Sequence, residues 1–169
     1  MSELALVCET VEVAHARRSP PDVRARLRAL ADRVPRVPHD VDPYAIAMAR
    51  LGVEGPAPAE AALRARLVRG GYHSRGLLRD ALLIAVVETG VGVWATDATD
   101  ELRIEDGCVV GGDLRVPLFT APPKVSSPRV TLFGVVVPGV AAGVVEEAVQ
   151  IAAEIAAGSG EHTVGPRVE

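Results

Sequence analysis

The sequence is poor in aromatic residues, contains a single lysine and has no asparagine. Aromatic residues make up 3% of its 169 residues, so the core must be built from Val, Leu, Ile and Ala side chains. Lys124 is the only lysine among 18 basic residues, a bias typical of a GC-rich genome. Arginine suits phosphate contacts. The pI of about 5.6 nevertheless argues against a broad nucleic-acid surface, so we expect no DNA partner and only a local patch for any RNA.

Cysteines are also few, and no apolar run is long. Cys8 and Cys108 show no paired spacing, which predicts two buried, reduced thiols of a cytosolic protein, with a disulfide as the minor alternative. The N-terminal residues do not read as a secretory signal. The longest apolar runs, such as residues 81–87 and 133–137, are too short to cross a bilayer. We therefore expect a soluble, cytoplasmic protein without a membrane partner.

Nearly half of the chain is apolar, which is enough to build a core. Hydrophobic residues account for 49% of the chain and charged residues for 24%, and the net charge is only −4, so disorder is not expected. The length is that of one domain, and we see neither a repeat nor a linker. The sequence predicts a single domain over residues 1–158 and a flexible tail over residues 159–169.

The N-terminal half reads as one strand followed by helices. Residues 4–13 predict an opening strand. A helix starts near Pro21, with apolar residues at helical spacing: Val23, Leu27, Leu30 and Val34. The following loop contains His39, Asp40 and Asp42, which are possible metal ligands, but a site also needs ligands that converge from elsewhere in the fold. We therefore predict neither a metal nor a cofactor.

Three further helices are predicted in the middle of the chain. Pro43 begins a short one, and Pro58 begins one in which Glu60 and Arg64 form an i,i+4 pair. Ser74 is the expected N-cap of the third helix. That helix, residues 77–87, is apolar on nearly every side, which is typical of a buried central helix.

The period of the apolar residues changes from helical to β in the second half. A short strand is expected over residues 91–95, and an amphipathic helix closes the fold over residues 144–155. Between them lie four strand candidates, residues 102–104, 108–110, 114–118 and 130–137. Helices and mostly antiparallel strands are thus segregated along the chain, which predicts the α+β class.

Residues 44–97 follow the pattern of a known family. A short helix ends near Leu-Gly, a Pro leads into a helix that ends in basic residues and Gly, and a Ser precedes a buried helix with Asp near its start. A Glu-x-Gly then leads into a short strand that ends in Asp. These residues are Arg50, Leu51, Gly52, Pro58, Glu60, Leu63, Leu67, Arg69, Gly71, Ser74, Asp80, Glu88, Gly90 and Asp97. With this spacing the segment resembles the B3/B4 domain of the phenylalanyl-tRNA synthetase β subunit.

The resemblance implies a connection to tRNA. In the synthetase this domain hydrolyses wrongly attached tyrosine from its tRNA, and some freestanding relatives are discussed as editing factors that act in trans. We expect a freestanding B3/B4-like module that binds a small amino-acid-like ligand or the aminoacyl end of tRNA. Two alternatives remain open: a trans-editing hydrolase of mischarged aminoacyl-tRNA, and a noncatalytic structural or interaction protein. Fold-level likeness does not assign a reaction.

The chain departs from the family at positions that bear on catalysis. Trp94 stands where bacterial synthetases carry a His, and indole cannot exchange protons as imidazole does. Leu83 stands where the buried helix usually carries an Asn. The family's Gly-rich segment, which includes a carboxylate, has no clear counterpart, because residues 112–128 are short and broken by prolines.

The candidate pocket residues are Asp80, Glu88, Trp94, Asp97 and His73, and each has a structural alternative. Asp80 would cap its helix, Glu88 would pair with an Arg, and Asp97 would shape a turn. Trp94 would be a pocket wall, a plug or a core anchor. His73 and Ser74 are adjacent in sequence, and adjacent side chains rarely point at each other. We therefore do not expect them to act as base and nucleophile.

Five arginines are candidate contacts for tRNA phosphates, because they are close together in sequence. Their structural alternative is a solvated helix face. They are Arg64, Arg66, Arg69, Arg75 and Arg79.

Overall fold

Six strands and five helices form the described part of the chain. The structure is a computed structural model, and it describes residues 4–13, 18–30 and 42–158. The strands are β1 (Ala5–Glu12), β2 (Trp94–Asp97), β3 (Arg103–Glu105), β4 (Cys108–Gly111), β5 (Leu114–Pro117) and β6 (Arg129–Val136). The helices are α1 (Pro21–Leu30), α2 (Pro43–Arg50), α3 (Pro58–Arg69), α4 (Leu77–Thr89) and α5 (Ala142–Ala157). The predicted α+β class is confirmed.

The larger sheet is antiparallel, with the strand order β1-β6-β2. Its central strand β6 is buried at every residue from 130 to 135, so both of its faces are covered. Helix α5 packs on β1 and β6, and α4 packs on α5. Helices α1 and α3 in turn contact α4. The prediction that residues 77–87 form a buried helix is therefore confirmed, and α4 has Ala81, Ile84 and Ala85 fully buried.

The smaller sheet is a three-stranded meander of β3, β4 and β5. Asp106 and Gly107 connect β3 to β4, and both have positive φ, 50° and 73°. This is the backbone that a two-residue hairpin turn requires, and the Asp-Gly sequence is a strong local signal for it. The sequence therefore specifies this hairpin through the chemistry of its turn.

Several predictions about local structure need correction. β2 begins at Trp94 rather than at residue 91. The Tyr44 hydroxyl donates a hydrogen bond of 2.7 Å to the carbonyl oxygen of Val135, at the position that a longer β2 would reach along β6. The N-cap of α4 is Gly76 rather than Ser74, and it makes no side-chain cap hydrogen bond. Ser74 instead donates to Asp80.

The cysteine prediction is half right. Both thiols are free, but Cys8 is exposed because β1 is an edge strand, and Cys108 is only partly buried. Val34, His39, Asp40 and the tail over residues 159–169 lie outside the described residues. Within the described ranges, every helix is too short or too polar to cross a membrane.

The close contact of α5 with β6 depends on Gly134, and it provides a test of the packing. A Cβ atom at this position would lie 2.8 Å from Cγ1 of Val145 and 3.3 Å from Cγ2 of Val149. Overpacking of a core typically costs about 1–3 kcal/mol. We expect Gly134→Ala to lower the free energy of unfolding by this amount, measured by denaturant titration.

Gly143→Ala is the matched control, because Gly143 lies in α5 with no heavy atom within 4 Å of an added Cβ. Alanine is favoured over glycine in a helix, so this variant should be equal to the wild type or more stable by up to about 1 kcal/mol. Equal stability of the two variants would contradict the proposed contact.

Candidate functional site

Two adjoining cavities lie between α3 and α4. The larger one, here called the apolar groove, has a volume of about 450 Å³. It is lined by Pro56, Pro58, Ala61, Ala62, Ala65, Leu82, Leu83, Val86, Gly92, Val93, Trp94, Phe119 and Ala121. The smaller one, here called the arginine cavity, has a volume of about 240 Å³. It is lined by Ala65, Arg69, Gly71, Tyr72, His73, Arg75, Arg79, Asp80 and Leu83. Ala65 and Leu83 line both cavities, so the two are adjacent.

Gly92 allows the start of α3 to approach β2 at one end of the apolar groove. A Cβ atom on Gly92 would lie 2.6 Å from Cγ of Pro58 and 2.9 Å from an indole carbon of Trp94. No larger residue fits between these two rings without moving them. The width of the groove at this end is therefore set by the absence of a side chain.

Four aromatic side chains form a continuous row beside the apolar groove. The Trp94 ring stacks on Phe133 with a centroid distance of 5.9 Å and contacts the edge of Phe119 at 6.0 Å. Phe119 in turn meets Tyr44 edge to face at 6.0 Å. Trp94 thus contacts the buried Phe133 and also lines the groove, so the core-anchor and pocket-wall interpretations both hold. It does not plug the site.

Phe119 has an unusual backbone conformation. Its φ is 63°, in the left-handed region that bulky residues rarely occupy. Such a conformation costs on the order of 1–3 kcal/mol and persists where the surroundings hold it. Here the ring is held between Tyr44 and Trp94, so aromatic contacts offset the backbone cost. The result is an aromatic wall at the mouth of the groove.

The arginine cavity contains a buried hydroxyl without a partner. Tyr72 is 6% exposed, and its hydroxyl makes no hydrogen bond with any residue that the structure describes. An unsatisfied buried polar group costs about 1–3 kcal/mol. Burial raises the pKa of Tyr72, partly opposed by the charge of Arg66, so the hydroxyl keeps its proton at neutral pH and can donate.

Asp80 is buried in the arginine cavity wall and is the junction of three segments. It is 1% exposed. One carboxylate oxygen accepts a hydrogen bond of 2.8 Å from the amide of Arg75, and the other accepts from the hydroxyls of Ser74, at 2.6 Å, and Ser19. Ser19 is itself buried, two residues before α1. The contacts of Asp80 are therefore structural, but they join segments that precede α1 and α4 and do not cap an amide of α4 itself.

The structure places two predicted pocket residues elsewhere. Glu88 forms a two-point ion pair with Arg26 of α1, with N–O distances of 2.8 and 2.6 Å, so the expectation of an arginine partner is confirmed. Asp97 accepts hydrogen bonds of 2.8 Å from the amides of Ser126 and Ser127. Neither carboxylate lines the apolar groove or the arginine cavity.

The remaining candidates divide between the arginine cavity and the helix surface. His73 lines the cavity, and its Nε2 lies 3.0 Å from the carbonyl oxygen of Arg69. Three of the five arginines line it as well, namely Arg69, Arg75 and Arg79. Arg64 pairs with Glu60 at 2.7 Å, as predicted, and Arg64 and Arg66 do not line it.

No functional role for Tyr72 or Phe119 is predicted from the sequence. The signal that marks them is their rarity, since the chain has only five aromatic residues and all five lie in or beside the two cavities. Among the described residues, no group of three or more His, Cys, Asp or Glu side chains is placed to hold a metal ion.

Comparison with known proteins finds no matching family model, no matching curated protein and no matching solved structure. The resemblance to the B3/B4 domain stays a prediction.

The junction at Asp80 can be tested by Asp80→Asn. The amide offers one oxygen in place of two and sets an NH₂ group against a donor, either a serine hydroxyl or the Arg75 amide. Hydrogen bonds to charged groups contribute about 1.5–3 kcal/mol, so we expect a loss of that size in the free energy of unfolding. Asp113→Asn, in an exposed turn, should change stability by less than about 0.5 kcal/mol. Equal effects of the two would refute the role of Asp80.

The hydrogen bonds to Asp97 predict a pH dependence of stability. Bonds from the Ser127 amide and from the Ser126 hydroxyl and amide hold the pKa of Asp97 below its usual value. Such a group stabilises the fold above its unfolded pKa of about 4, and this contribution disappears as the pH falls through the folded pKa. In unfolding titrations, Asp97→Asn should therefore flatten the stability loss between about pH 4 and pH 2. An unchanged acid slope would contradict this, and Asp113→Asn should leave the slope as it is.

Proposed function

We propose that this protein is a binding module that takes a small ligand in the apolar groove between α3 and α4. The observation that carries the proposal is the groove itself, about 450 Å³ in volume and walled by Trp94 and Phe119. Ligand pockets commonly have volumes of about 300–1,000 Å³ and are lined by apolar and aromatic side chains with few polar groups. The groove meets each of these criteria.

The aminoacyl end of tRNA is the ligand that the resemblance suggests. The apolar groove would receive the amino-acid side chain, and the arginines of the adjoining cavity would lie near the nucleotide end. Exposed arginines at the same mouth support this, namely Arg69, Arg75 and Arg79. A free amino-acid-like molecule would use the same groove without the nucleotide.

Binding fits the side chains better than hydrolysis does. A hydrolase needs a group that activates water and can take up its proton. The buried carboxylate of Asp80 already accepts three hydrogen bonds from protein groups. Trp94 and Leu83, which line the groove, have no titratable group at all. His73 is the nearest remaining base, and it is exposed beside the arginines.

Trp94 provides a direct readout of groove occupancy, because it is the only tryptophan in the chain. We expect 1-octanol, a neutral apolar probe, to change Trp94 fluorescence saturably. Ala61→Phe fills part of the groove from the exposed side of α3, so it should weaken octanol binding by about tenfold, the equivalent of nearly two buried methylene groups.

Ala49→Phe is the matched control, because Ala49 is an exposed alanine of α2 that does not line the groove. It should bind octanol as the wild type does. Failure of the wild type to bind octanol would refute the proposed function and favour a structural or interaction protein. Equal weakening by both variants would place the probe outside the groove.

A panel of correctly and wrongly charged tRNAs separates binding from editing. If the ligand is the aminoacyl end of tRNA, charged tRNAs should compete with octanol, and for either kind of ligand we expect no amino acid to be released above the spontaneous rate. Selective release of one wrong amino acid would overturn the noncatalytic proposal in favour of the trans-editing hydrolase. In that case Ser74→Ala would test whether the Ser74 hydroxyl contributes to the release. It removes this hydroxyl and leaves the Asp80 bonds to Ser19 and the Arg75 amide in place.

A further inference from the structure

The arginine cavity gathers donors that lack acceptors within the described part of the chain. Tyr72 is 6% exposed, and its hydroxyl has no partner there. The guanidinium groups of Arg69, Arg75 and Arg79 line the same cavity and make no ion pair with a described residue. Buried polar groups are nearly always satisfied in folded proteins. Of these donors only the Tyr72 hydroxyl is buried, so it is the one that an acceptor on a bound molecule would satisfy, and the exposed arginines add positive charge beside it.

The charges around this cavity favour an anion. Three arginines stand against the single carboxylate of Asp80, which is itself bound by two hydroxyls and an amide. Helix α4 also begins at this cavity, after Gly76, without a side-chain cap. The amide groups and dipole at a helix N-terminus attract negative charge. Charge and donor geometry thus point to the same kind of ligand group.

The two cavities are adjacent, which would let one molecule extend from one into the other. Ala65 and Leu83 belong to both linings. The arginine cavity, at about 240 Å³, is large enough for a single anionic group, and the apolar groove at about 450 Å³ is large enough for an apolar body.

We propose that the arginine cavity is an anion subsite that binds the carboxylate or phosphate of a small amphipathic acid, whose apolar part lies in the apolar groove. The proposal rests on the proposed function of the groove. Tyr72 donates its hydroxyl to the anion, and Arg79 and Arg69 supply charge. Arg75 contributes its guanidinium while its amide stays with Asp80.

The observations favour a small acid over an RNA backbone. A backbone presents phosphates in a row and needs cations along its path. Arg64, nearer the start of α3, is paired with Glu60 at 2.7 Å, and it lies outside the arginine cavity. The chain as a whole carries a net charge of −4. Arg69, Arg75 and Arg79 thus place positive charge around one cavity rather than in a row, which suits one anionic group.

Three probes with the same apolar chain test the subsite, namely 1-octanol, octanoate and octyl phosphate. Each is titrated against the full-length protein with Trp94 fluorescence as the readout. We expect at least one of the two anions to bind about tenfold or more tightly than octanol, as charge-assisted hydrogen bonds to an anion would give. The advantage should shrink as salt is raised. Comparing the two anions tells which group the cavity takes.

Two variants locate the effect. Tyr72→Phe removes only the unpartnered hydroxyl, so it should fold normally and lose much of the anion's advantage while binding octanol as before. Arg79→Gln should do the same. The matched control is Arg64→Gln on α3, whose guanidinium is paired with Glu60 and does not line the cavity, and it should keep the full advantage.

The outcomes separate this proposal from the one on which it rests. If octanol binds and neither anion binds more tightly, the subsite is refuted while the groove stands. If no probe binds, the groove itself is refuted. If an RNA stem with a single-stranded acceptor end displaces octanoate at far lower concentration than octyl phosphate does, the anion is an RNA phosphate and the small-acid proposal is overturned. An anion advantage that survives both Tyr72→Phe and Arg79→Gln would also overturn it.

Discussion

One buried carboxylate holds together the segments beside the arginine cavity. Asp80 joins the residue before α1, the segment that links α3 to α4, and the first turn of α4 through bonds from Ser19, Ser74 and the Arg75 amide. A carboxylate this deep needs such donors, since an unpaired buried charge is costly. Its bonds fix the path of residues 71–76, and that path places Tyr72 and Arg75 at the arginine cavity. The position of the polar groups in this linking segment therefore depends on Asp80.

The apolar half of the site is held in a different way. In a chain with five aromatic residues, four form one row, and these four rings make three contacts at centroid distances near 6 Å. Most of the remaining core is aliphatic and is packed from Val, Leu, Ile and Ala, as the composition predicts. The large rings are concentrated where the fold leaves open volume. Large, rigid rings can form the wall of a groove and leave its volume open. Small flexible side chains would move into that volume instead.

The features of the fold and the site that can be predicted from sequence are those caused by residues close together in the chain. The burial of α4 and the Glu60–Arg64 pair follow from neighbouring residues, and the sequence predicts both. The end of α4 at Gly90 and the Asp106-Gly107 turn have equally local causes. The partner of Glu88 was expected to be an arginine, but its identity as Arg26 depends on how α1 packs on α4. Ser19 could not be assigned to Asp80 for the same reason, being 61 residues away. The start of β2 was misplaced because Tyr44 supplies a donor from a distant helix.

Some described residues violate local rules, and two of them line the cavities. Phe119 has a backbone conformation that suits glycine, and Tyr72 buries a hydroxyl without a partner in the described part of the chain. Each costs stability, and substitution by a simpler residue would remove that cost. Sequences that fold well are consistent at every level except where function demands otherwise. A ligand that contacts both Phe119 and Tyr72 would offset both of these costs, and this links the aromatic wall of the groove to the buried hydroxyl at the arginine cavity.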